Sequence, residues 1–224
     1  MPFNGTAPTK MTVHERLDLI ARAPGPPVDS TRPGSYMERM LLEPGLCTAL
    51  VAFIDRAAEL LVRDASDHVA DFRLEVSRDR LAVVVGSAAV VALEACCADA
   101  VSTMLSERPP HPPRLLLRRT KASNGSGSGK HIGFHRDHAL MTVNVALNSF
   151  DAFRGGKLLM VTPHGERRLD ERRAGHAVAM DGALVHAVSS LTAGVRYGLF
   201  AVHESSEGGP DHGFPFILAD SLVS

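Results

Sequence analysis

The chain has 224 residues, of which 45% are hydrophobic and 22% are charged, and this composition excludes wholesale disorder. Its 24 basic and 25 acidic side chains give a net charge of −1, whereas a general nucleic-acid binder needs a basic excess to neutralise phosphates. The longest apolar run, from Leu81 to Leu93, is shorter than the about 20 residues of a membrane-spanning helix. We therefore expect neither a nucleic acid nor a membrane as the partner of this protein.

The cysteines and the N-terminus bear on the compartment. Cys47, Cys96 and Cys97 are too few for a disulfide framework, so we expect three reduced core residues. The segment from Met1 to Lys10 contains no apolar stretch of the kind found in secretory signals. Both observations favour a cytoplasmic protein.

Prolines divide the N-terminal half of the chain into helical segments. Thr12 is a capping residue for a short helix, so residues 1–34 are predicted as a tail with one short helix. Residues 35–110 are predicted as a scaffold of helices and a hairpin. Its predicted elements are a helix from about Pro44 to Arg63, a hairpin of the strands Phe72–Val76 and Leu81–Val85, and a helix from Ser87 to about Ser106.

The C-terminal half changes to short strands separated by turns that contain glycine or proline. Such a series predicts a β-sandwich or jelly roll rather than a parallel sheet. The predicted fold class is α+β, with a mainly β core over residues 111–204, the N-terminal helices packed on it, and a tail over residues 205–224. The predicted strands are Leu115–Thr120, His131–His135, Met141–Leu147, Lys157–Val161, His176–Met180, Leu184–Val188 and Val195–His203.

A histidine and a carboxylate lie two residues apart in His135-Arg136-Asp137. Residues i and i+2 of a strand point to the same side, so both side chains can reach one metal ion. His186 lies in the apolar run Leu184–Val188, where a histidine without a partner would be costly to bury. Two histidines and one carboxylate form the facial triad of non-haem Fe(II) oxygenases, which makes these three residues candidate metal ligands.

Arg196 follows ten residues after His186, beyond the turn at Gly194. A buried arginine needs an anionic partner, and no acidic residue neighbours Arg196 in the sequence. The planar guanidinium suits bidentate capture of a carboxylate. Because Arg196, Gly198 and Phe200 share one strand face, we expect the guanidinium to point into the cavity that holds the metal.

These residues, in this order, resemble the Fe(II)/2-oxoglutarate dioxygenase superfamily, and within it the prolyl and procollagen-lysyl hydroxylase branch. The resemblance rests on His135-x-Asp137, on His186 after 48 intervening residues, and on Gly194-Val195-Arg196. The strand after the metal motif and the turn at Gly155-Gly156 are also similar to those of the branch. The resemblance covers about Arg114 to Val202, and residues 1–110 carry no family signal.

The resemblance implies a double-stranded β-helix, the jelly roll of this superfamily, with iron at its open end. By position, the iron ligands are His135, Asp137 and His186. Arg196 matches the residue that binds the C5 carboxylate of 2-oxoglutarate, and Asn144 matches an asparagine that contacts the same cosubstrate. The implied cofactors are Fe(II), 2-oxoglutarate, O2 and, additionally, ascorbate, with no catalytic residue beyond the metal centre.

One position departs from the branch, and one loop has no counterpart in its motifs. The branch has a tyrosine on the strand before the metal motif, and Arg119 is expected in its place. Asn124 to Gly129 reads Asn-Gly-Ser-Gly-Ser-Gly, and a flexible loop just before the metal strand is well placed to act as a lid.

The predicted function is hydroxylation of an unactivated C–H bond, with release of succinate and CO2. The resemblance to the branch implies an amino-acid side chain as the substrate, either free, peptidyl or in a small metabolite. Two alternatives stay open at this point: a non-catalytic jelly-roll module that keeps a metal, and a 2-oxoglutarate-dependent nucleic-acid demethylase, which the neutral net charge disfavours.

Overall fold

The computed structural model describes residues 34, 36–60, 72–105, 111–122, 130–162, 165–169 and 172–204. The short helix predicted after Thr12, the loop Asn124–Gly129 and the tail over residues 205–224 lie outside these ranges. The boundaries between the predicted regions stay predictions.

The described part of the scaffold contains three helices, α1 (Pro44–Leu60), α2 (Arg78–Val85) and α3 (Ser87–Leu105). The structure confirms the helices predicted from Pro44 and from Ser87. The apolar spacing that predicted α1 reflects a face on which Cys47, Leu50 and Ile54 are fully buried.

The hairpin predicted over residues 72–85 is wrong in its second strand, because Leu81–Val85 is the body of helix α2. The hydroxyl oxygen of Ser77 accepts a hydrogen bond from the backbone N–H of Arg80 at 3.2 Å and caps the helix. Leu81 and Val85, four residues apart, then turn to the core together. The cap and this spacing outweigh the β-propensity of the run of valines, which had suggested a strand.

Ten strands complete the fold of the described residues, and every strand pairing is antiparallel. Apart from Leu81–Val85, the predicted strands are found within about two residues of their predicted ends, except at the C-terminal end of the core. β1, β6 and β8 were not predicted. The strands are β1 (Tyr36–Met40), β2 (Phe72–Val76), β3 (Arg114–Lys121), β4 (Lys130–His135), β5 (Met141–Ala146), β6 (Phe153–Gly155), β7 (Leu158–Thr162), β8 (Gly165–Leu169), β9 (His176–Asp181) and β10 (His186–His203).

Strand β10 belongs to two layers of strands. Its C-terminal part lies in a major sheet with the order β1-β9-β5-β10-β3-β2. Its N-terminal part pairs with β4, β6 and β7, and β8 pairs with β7; we call this layer the minor sheet. The fold is thus mainly antiparallel β with helices on one side, as the predicted fold class requires.

The two strands predicted at Leu184–Val188 and Val195–His203 are one continuous strand, so the predicted break between them is wrong. The break was predicted because Gly194 follows a threonine and an alanine, which suggested a turn. Gly194 instead has φ +80°, and a Cβ at this position would lie 2.5 Å from the carbonyl oxygen of Ala152. The glycine therefore allows β10 to pass closely over the segment before β6 without ending.

The major sheet has one apolar and one polar face, and this alternation separates the core from the cavity. The helices cover the apolar face in a single core, as expected for a sheet with one side packed. A smaller apolar cluster, which includes Leu158, Met160 and Met180, lies between the two sheets. The sheet residues that face the helices are Phe72, Leu74, Val76, Leu115, Leu117, Met141, Val143, Val145, Ala177, Ala179, Leu199 and Ala201.

Helix α3 is the one helix in the described part of the chain that is long and apolar enough, by length and composition alone, to cross a membrane. Core helices pass the same criterion, and α3 buries Val90, Leu93, Cys97 and Val101 in the core that it shares with the major sheet. Membrane spanning therefore receives only weak support from this helix.

An ion pair and a hydrogen bond fasten helix α1 to the sheet. Arg119 Nη1 of β3 lies 2.9 Å from Asp55 Oδ1, and the hydroxyl of Tyr197 on β10 donates to the same oxygen at 2.8 Å. The Arg119 side chain is 15% exposed and that of Asp55 is 42% exposed, so solvent weakens this contact only in part.

We predict that Asp55→Ala lowers the free energy of unfolding by about 1–2 kcal/mol, because it removes an acceptor that two partly buried donors share. The measurement is urea unfolding followed by circular dichroism. Asp99→Ala serves as the control, since it removes an exposed ion pair with Arg39 and should cost less than about 0.5 kcal/mol. Equal losses in the two variants would contradict an anchoring role for Asp55.

Candidate metal centre

The three predicted ligand residues come together at the junction of the two sheets. His135 is the last residue of β4 and lies directly opposite His186, the first residue of β10, in the strand register. Asp137 follows β4 by two residues. Its Oδ1 lies 3.5 Å from His135 Nε2 and 3.6 Å from His186 Nε2, and one ligand atom from each residue lies within 4.8 Å of the others. These distances suit shared coordination of one ion.

Both imidazole rings are oriented by the backbone. His135 Nδ1 lies 2.8 Å from the carbonyl oxygen of Gly133, and His186 Nδ1 lies 3.0 Å from that of Leu184. A neutral ring that donates its Nδ1–H to a carbonyl keeps an unprotonated Nε2, which is the atom that each ring turns towards Asp137. The two histidines are therefore held in the tautomer that a metal ligand needs.

Asp137 is held ionised, with one oxygen turned to the histidines. The Thr142 hydroxyl, on β5, donates to Asp137 Oδ2 at 2.7 Å, which leaves Oδ1 facing the two imidazoles. Burial by itself would raise the pKa of Asp137. The contact with His135, the attraction of His186 and the Thr142 hydroxyl outweigh burial and hold that pKa well below its usual range.

The pKa values of the two histidines shift in opposite directions. Burial lowers the pKa of His135, but the contacts with Asp137 and with the Gly133 carbonyl outweigh it, so the pKa is raised. For His186 burial dominates over the attraction of Asp137, and the pKa is lowered. The donor set of two imidazoles and one carboxylate therefore fits a divalent transition metal such as Fe(II), and nothing in its geometry conflicts with one.

Arg196 lies on the cavity side of β10, as the strand alternation predicted. Burial lowers its pKa to about 9, and the charges of Arg172 and Arg118 add to this effect. Arg196 lines the same cavity as the three ligand residues. One cavity therefore contains both the three candidate metal ligands and the Arg196 guanidinium.

Asn144 also lines this cavity, and Arg172 holds its side chain. Arg172 Nη2 donates to Asn144 Oδ1 at 3.3 Å, and Arg172 Nη1 donates to the Asn144 carbonyl oxygen at 3.2 Å. Because the amide oxygen accepts from the guanidinium, the amide NH2 group is available as a donor on the cavity side. The pKa of Arg172 is lowered by burial to about 10.

Arg119, which was expected in the place of the branch's tyrosine, does not line the cavity, whereas its neighbour Arg118 does. Leu115 and Leu117 face the helices, so the next residue of this parity, Arg119, also turns to α1 and pairs with Asp55. Arg118 takes the opposite face and lines the cavity.

The cavity has a volume of about 570 Å³ and combines an apolar wall with several cations. Its apolar lining includes Leu158, Met180 and Val188 beside the ligand residues. Such walls exclude water and strengthen electrostatic contacts near a metal. The other charged lining residues are Arg73, Arg114, Arg118, Arg136, Arg196 and Glu204.

Sequence reasoning missed three residues that support the site. Thr142 could have been predicted to face the cavity, because side chains alternate along a strand and its neighbours Met141 and Val143 face the helices. Arg172 could not, since it lies outside the strands and its contact with Asn144 spans 28 residues of sequence. Arg118 follows the run Leu115–Leu117, in which the residues of both strand faces are apolar. The sequence therefore did not indicate which face of this strand turns to the cavity.

The fold is similar to those of solved prolyl hydroxylases and of an alpha ketoglutarate dependent epimerase. The chain resembles a prolyl hydroxylase from Trichoplax adhaerens solved with a hypoxia inducible factor peptide fragment, with a TM-score of 0.57 and 13% identity over 86% of this chain and 92% of that one. It also resembles the epimerase SnoN solved with Fe3+, alpha ketoglutarate and nogalamycin RO, with a TM-score of 0.53 and 16% identity over 91% of this chain and 93% of that one.

A comparison of sequences leads to the same branch. A PKHD-type hydroxylase from Polaromonas sp. (strain JS666 / ATCC BAA-500) is 33% identical over 93 residues, which span 36% of this chain and 40% of that relative. The chain thus matches less than half of the relative's length. No family model matches the chain. The predicted resemblance to the prolyl-hydroxylase-like branch is confirmed.

We predict that Thr142→Val weakens binding of a divalent probe, Co(II), by roughly 10-fold or more, the lower end found for loss of a hydrogen bond to a metal ligand. The change removes the donor that orients Asp137 and raises the pKa of that carboxyl towards its usual value. Calorimetric titration of Co(II) at neutral pH measures the effect. Thr142→Ser keeps the hydroxyl and serves as the control. Equal Co(II) affinity in Thr142→Val and in the unmodified protein would contradict the assignment.

Proposed function

We propose that this protein is an Fe(II)- and 2-oxoglutarate-dependent dioxygenase that hydroxylates an unactivated C–H bond. The observation that carries the proposal is the presence, in one cavity, of a His-Asp-His cluster and a buried arginine. A jelly-roll module that kept a metal only for structure would not need this second anchor. The fold neighbours with known cosubstrates support the same choice.

His135, Asp137 and His186 would hold the iron through Nε2, Oδ1 and Nε2. Iron bound there supplies activation of O2 for attack on a C–H bond while 2-oxoglutarate is converted into succinate and CO2. The chain's own part is to keep both imidazoles in one tautomer and the carboxylate ionised, as the contacts with Gly133, Leu184 and Thr142 do. Three protein ligands leave coordination positions for small molecules.

Arg196 and Asn144 would hold 2-oxoglutarate. The Arg196 guanidinium is the group in the cavity that is suited to the C5 carboxylate, because a fork of N–H donors matches the two oxygens. The Asn144 amide donates a further hydrogen bond, in the orientation that Arg172 imposes. These residues position the cosubstrate, and they neither give nor take a proton.

The double-stranded β-helix, the amino-acid side chain as substrate, ascorbate as an additional cofactor and a cytoplasmic location belong to this proposal too. The division of the strands into two layers that share β10 supports the first. The hydroxylase named among the relatives supports the second. A nucleic acid is disfavoured as the substrate by the net charge of −1.

We predict that His186→Ala abolishes binding of Fe(II) and formation of succinate, because one of three ligands is lost. The melting temperature in the absence of metal should change little, since the alanine removes a buried ring that interacts chiefly with other polar groups. Iron content after anaerobic reconstitution and succinate release are measured together. His131→Ala serves as the control, because His131 is exposed on the same strand as His135 and lies outside the cluster. Full iron occupancy in His186→Ala would contradict the assignment.

We predict that Arg196→Ala raises the Kd of 2-oxoglutarate by roughly 30- to several-thousand-fold, as expected when one partner of a buried charged pair is removed. Fe(II) affinity should stay nearly constant, because Arg196 is not a ligand. Arg196→Lys should restore part of the loss, since it keeps the charge without the fork.

The measurement for Arg196 is an anaerobic titration of 2-oxoglutarate into the Fe(II) protein, followed by the charge-transfer band of the chelated cosubstrate. A titration curve of Arg196→Ala that overlays that of the unmodified protein would remove the cosubstrate site. An unchanged Fe(II) affinity in the same variant separates this result from general damage to the cavity.

A further inference from the structure

One edge of strand β10 is interrupted where Arg196 lies. β3 runs along the opposite edge and pairs with all three of the residues 195–197. On the interrupted edge, pairing with β6 ends at Gly194, and pairing with β5 begins at Gly198. Along this edge, no strand of the described part of the chain pairs with residues 195–197, through which β10 passes from the minor to the major sheet.

The side chain of Asn148, two residues after the end of β5, fills this gap. Its Nδ2 donates to the carbonyl oxygen of Val195 at 2.8 Å, and its Oδ1 accepts from the backbone N–H of Tyr197 at 3.0 Å. The backbone N–H of Leu147 donates to the Tyr197 carbonyl oxygen at 3.1 Å. Asn148 thus bonds a backbone group on each side of Arg196.

These two hydrogen bonds hold the backbone from which the Arg196 side chain leaves. Both distances are typical of N–H···O hydrogen bonds, and an asparagine amide offers a donor and an acceptor in one plane. On the other edge, Arg196 lies opposite Thr120 of β3. This part of β10 is therefore held from both edges, by a strand on one and by a single side chain on the other.

The position of the Arg196 guanidinium depends on this backbone, because the neighbouring charges do not hold it. The charges that act on it within the described residues are those of Arg172 and Arg118, and both repel it. Its stem passes close to Gly156, where a Cβ would lie 3.4 Å from Arg196 Cδ. A change in the direction of the Arg196 Cα–Cβ bond would therefore move the guanidinium within the cavity.

We propose that Asn148 is a positioning residue, whose amide orients Arg196 towards the C5 carboxylate of 2-oxoglutarate. The inference rests on the proposed function, because that function assigns Arg196 to this carboxylate. Asn148 does not line the cavity of the candidate metal ligands, whereas Arg196 lines both that cavity and a neighbouring one that Asn148 also lines. Asn148 therefore acts on the cosubstrate through Arg196.

The test is a double-mutant cycle with a control for stability. The cycle compares the unmodified protein, Asn148→Ala, Arg196→Ala and the double variant. The control is Asp55→Ala, which removes the partner of the Tyr197 hydroxyl on the helix side and leaves the backbone bonds of Asn148 in place. Asn148→Gln, which keeps the amide but displaces it by one methylene group, is included in case the alanine variant folds poorly.

Two measurements are made on each protein. Hydrogen exchange of the Tyr197 backbone N–H, followed by NMR without metal or cosubstrate, reports whether Asn148 holds this part of β10. Anaerobic titration of 2-oxoglutarate into the Fe(II) protein, followed by the charge-transfer band, gives the Kd. A band missing from the unmodified protein contradicts the proposed function. A normal band with an unchanged Kd in Asn148→Ala contradicts the inference alone.

We expect Asn148→Ala to accelerate exchange of the Tyr197 N–H by roughly 10-fold. The 2-oxoglutarate Kd should rise by roughly 10- to 100-fold, the range found when partners that orient metal ligands are replaced. Asn148→Gln should show a smaller rise, and Asp55→Ala a change within about threefold. Fe(II) affinity should stay within the same limit in all variants. Arg196→Ala and the double variant should bind 2-oxoglutarate equally weakly, because Asn148 has no effect once Arg196 is absent.

Three results would overturn the proposal. The first is a 2-oxoglutarate Kd that neither replacement of Asn148 changes. The second is additivity of the two losses in the double variant, because Asn148 would then act on the cosubstrate independently of Arg196. The third is an equal rise of the Kd in Asp55→Ala, because a loss of stability alone would then explain the effect.

Discussion

The register of strand β10 is the constraint on which the site depends. Its first residue, His186, lies opposite His135 at the start of the minor-sheet pairing, and ten residues later Arg196 lies opposite Thr120 in the major sheet. A slip of one residue would turn each of these side chains to the other face of the strand. Pairing with strands of both sheets makes such a slip costly, because every one of those ladders would have to shift together.

The two faces of the major sheet explain how so many charged side chains can converge in a fold with a well-packed core. Valine, leucine and alanine alternate with threonine, asparagine and arginine along β3, β5 and β10, so the helices receive the apolar set together with Arg119 and Tyr197. Burial of that set provides the favourable free energy of folding. The polar face can then hold groups whose arrangement serves a ligand and lowers stability, as functional sites commonly do.

Much of the candidate site could be predicted from the sequence, because its residues lie close together within two short segments of the chain. His135 and Asp137 are two residues apart, and the run from His186 to Arg196 lies on one strand. The second strand of the hairpin was predicted wrongly, because the cap at Ser77 favours a helix for a run of valines that otherwise suggests a strand. The break in β10 was predicted wrongly, because a glycine that permits close approach of two segments has the same sequence signal as a turn. The position of Arg118 at the cavity depends on which face of the strand it takes, and that of Arg172 depends on a long-range contact with Asn144. The residue pattern contains neither.

The arginines around Asn144 show how one group can depend on another for its function. Arg172 lowers the pKa of Arg196 by its charge, yet it also fixes the Asn144 amide that faces the same cavity. Placing two guanidiniums near one another is unfavourable in a medium of low dielectric constant, and the carboxylate of the proposed cosubstrate would offset that repulsion. If the protein binds 2-oxoglutarate as proposed, the charges that reduce its stability without the cosubstrate would increase its affinity for this dicarboxylate, since binding would relieve the repulsion.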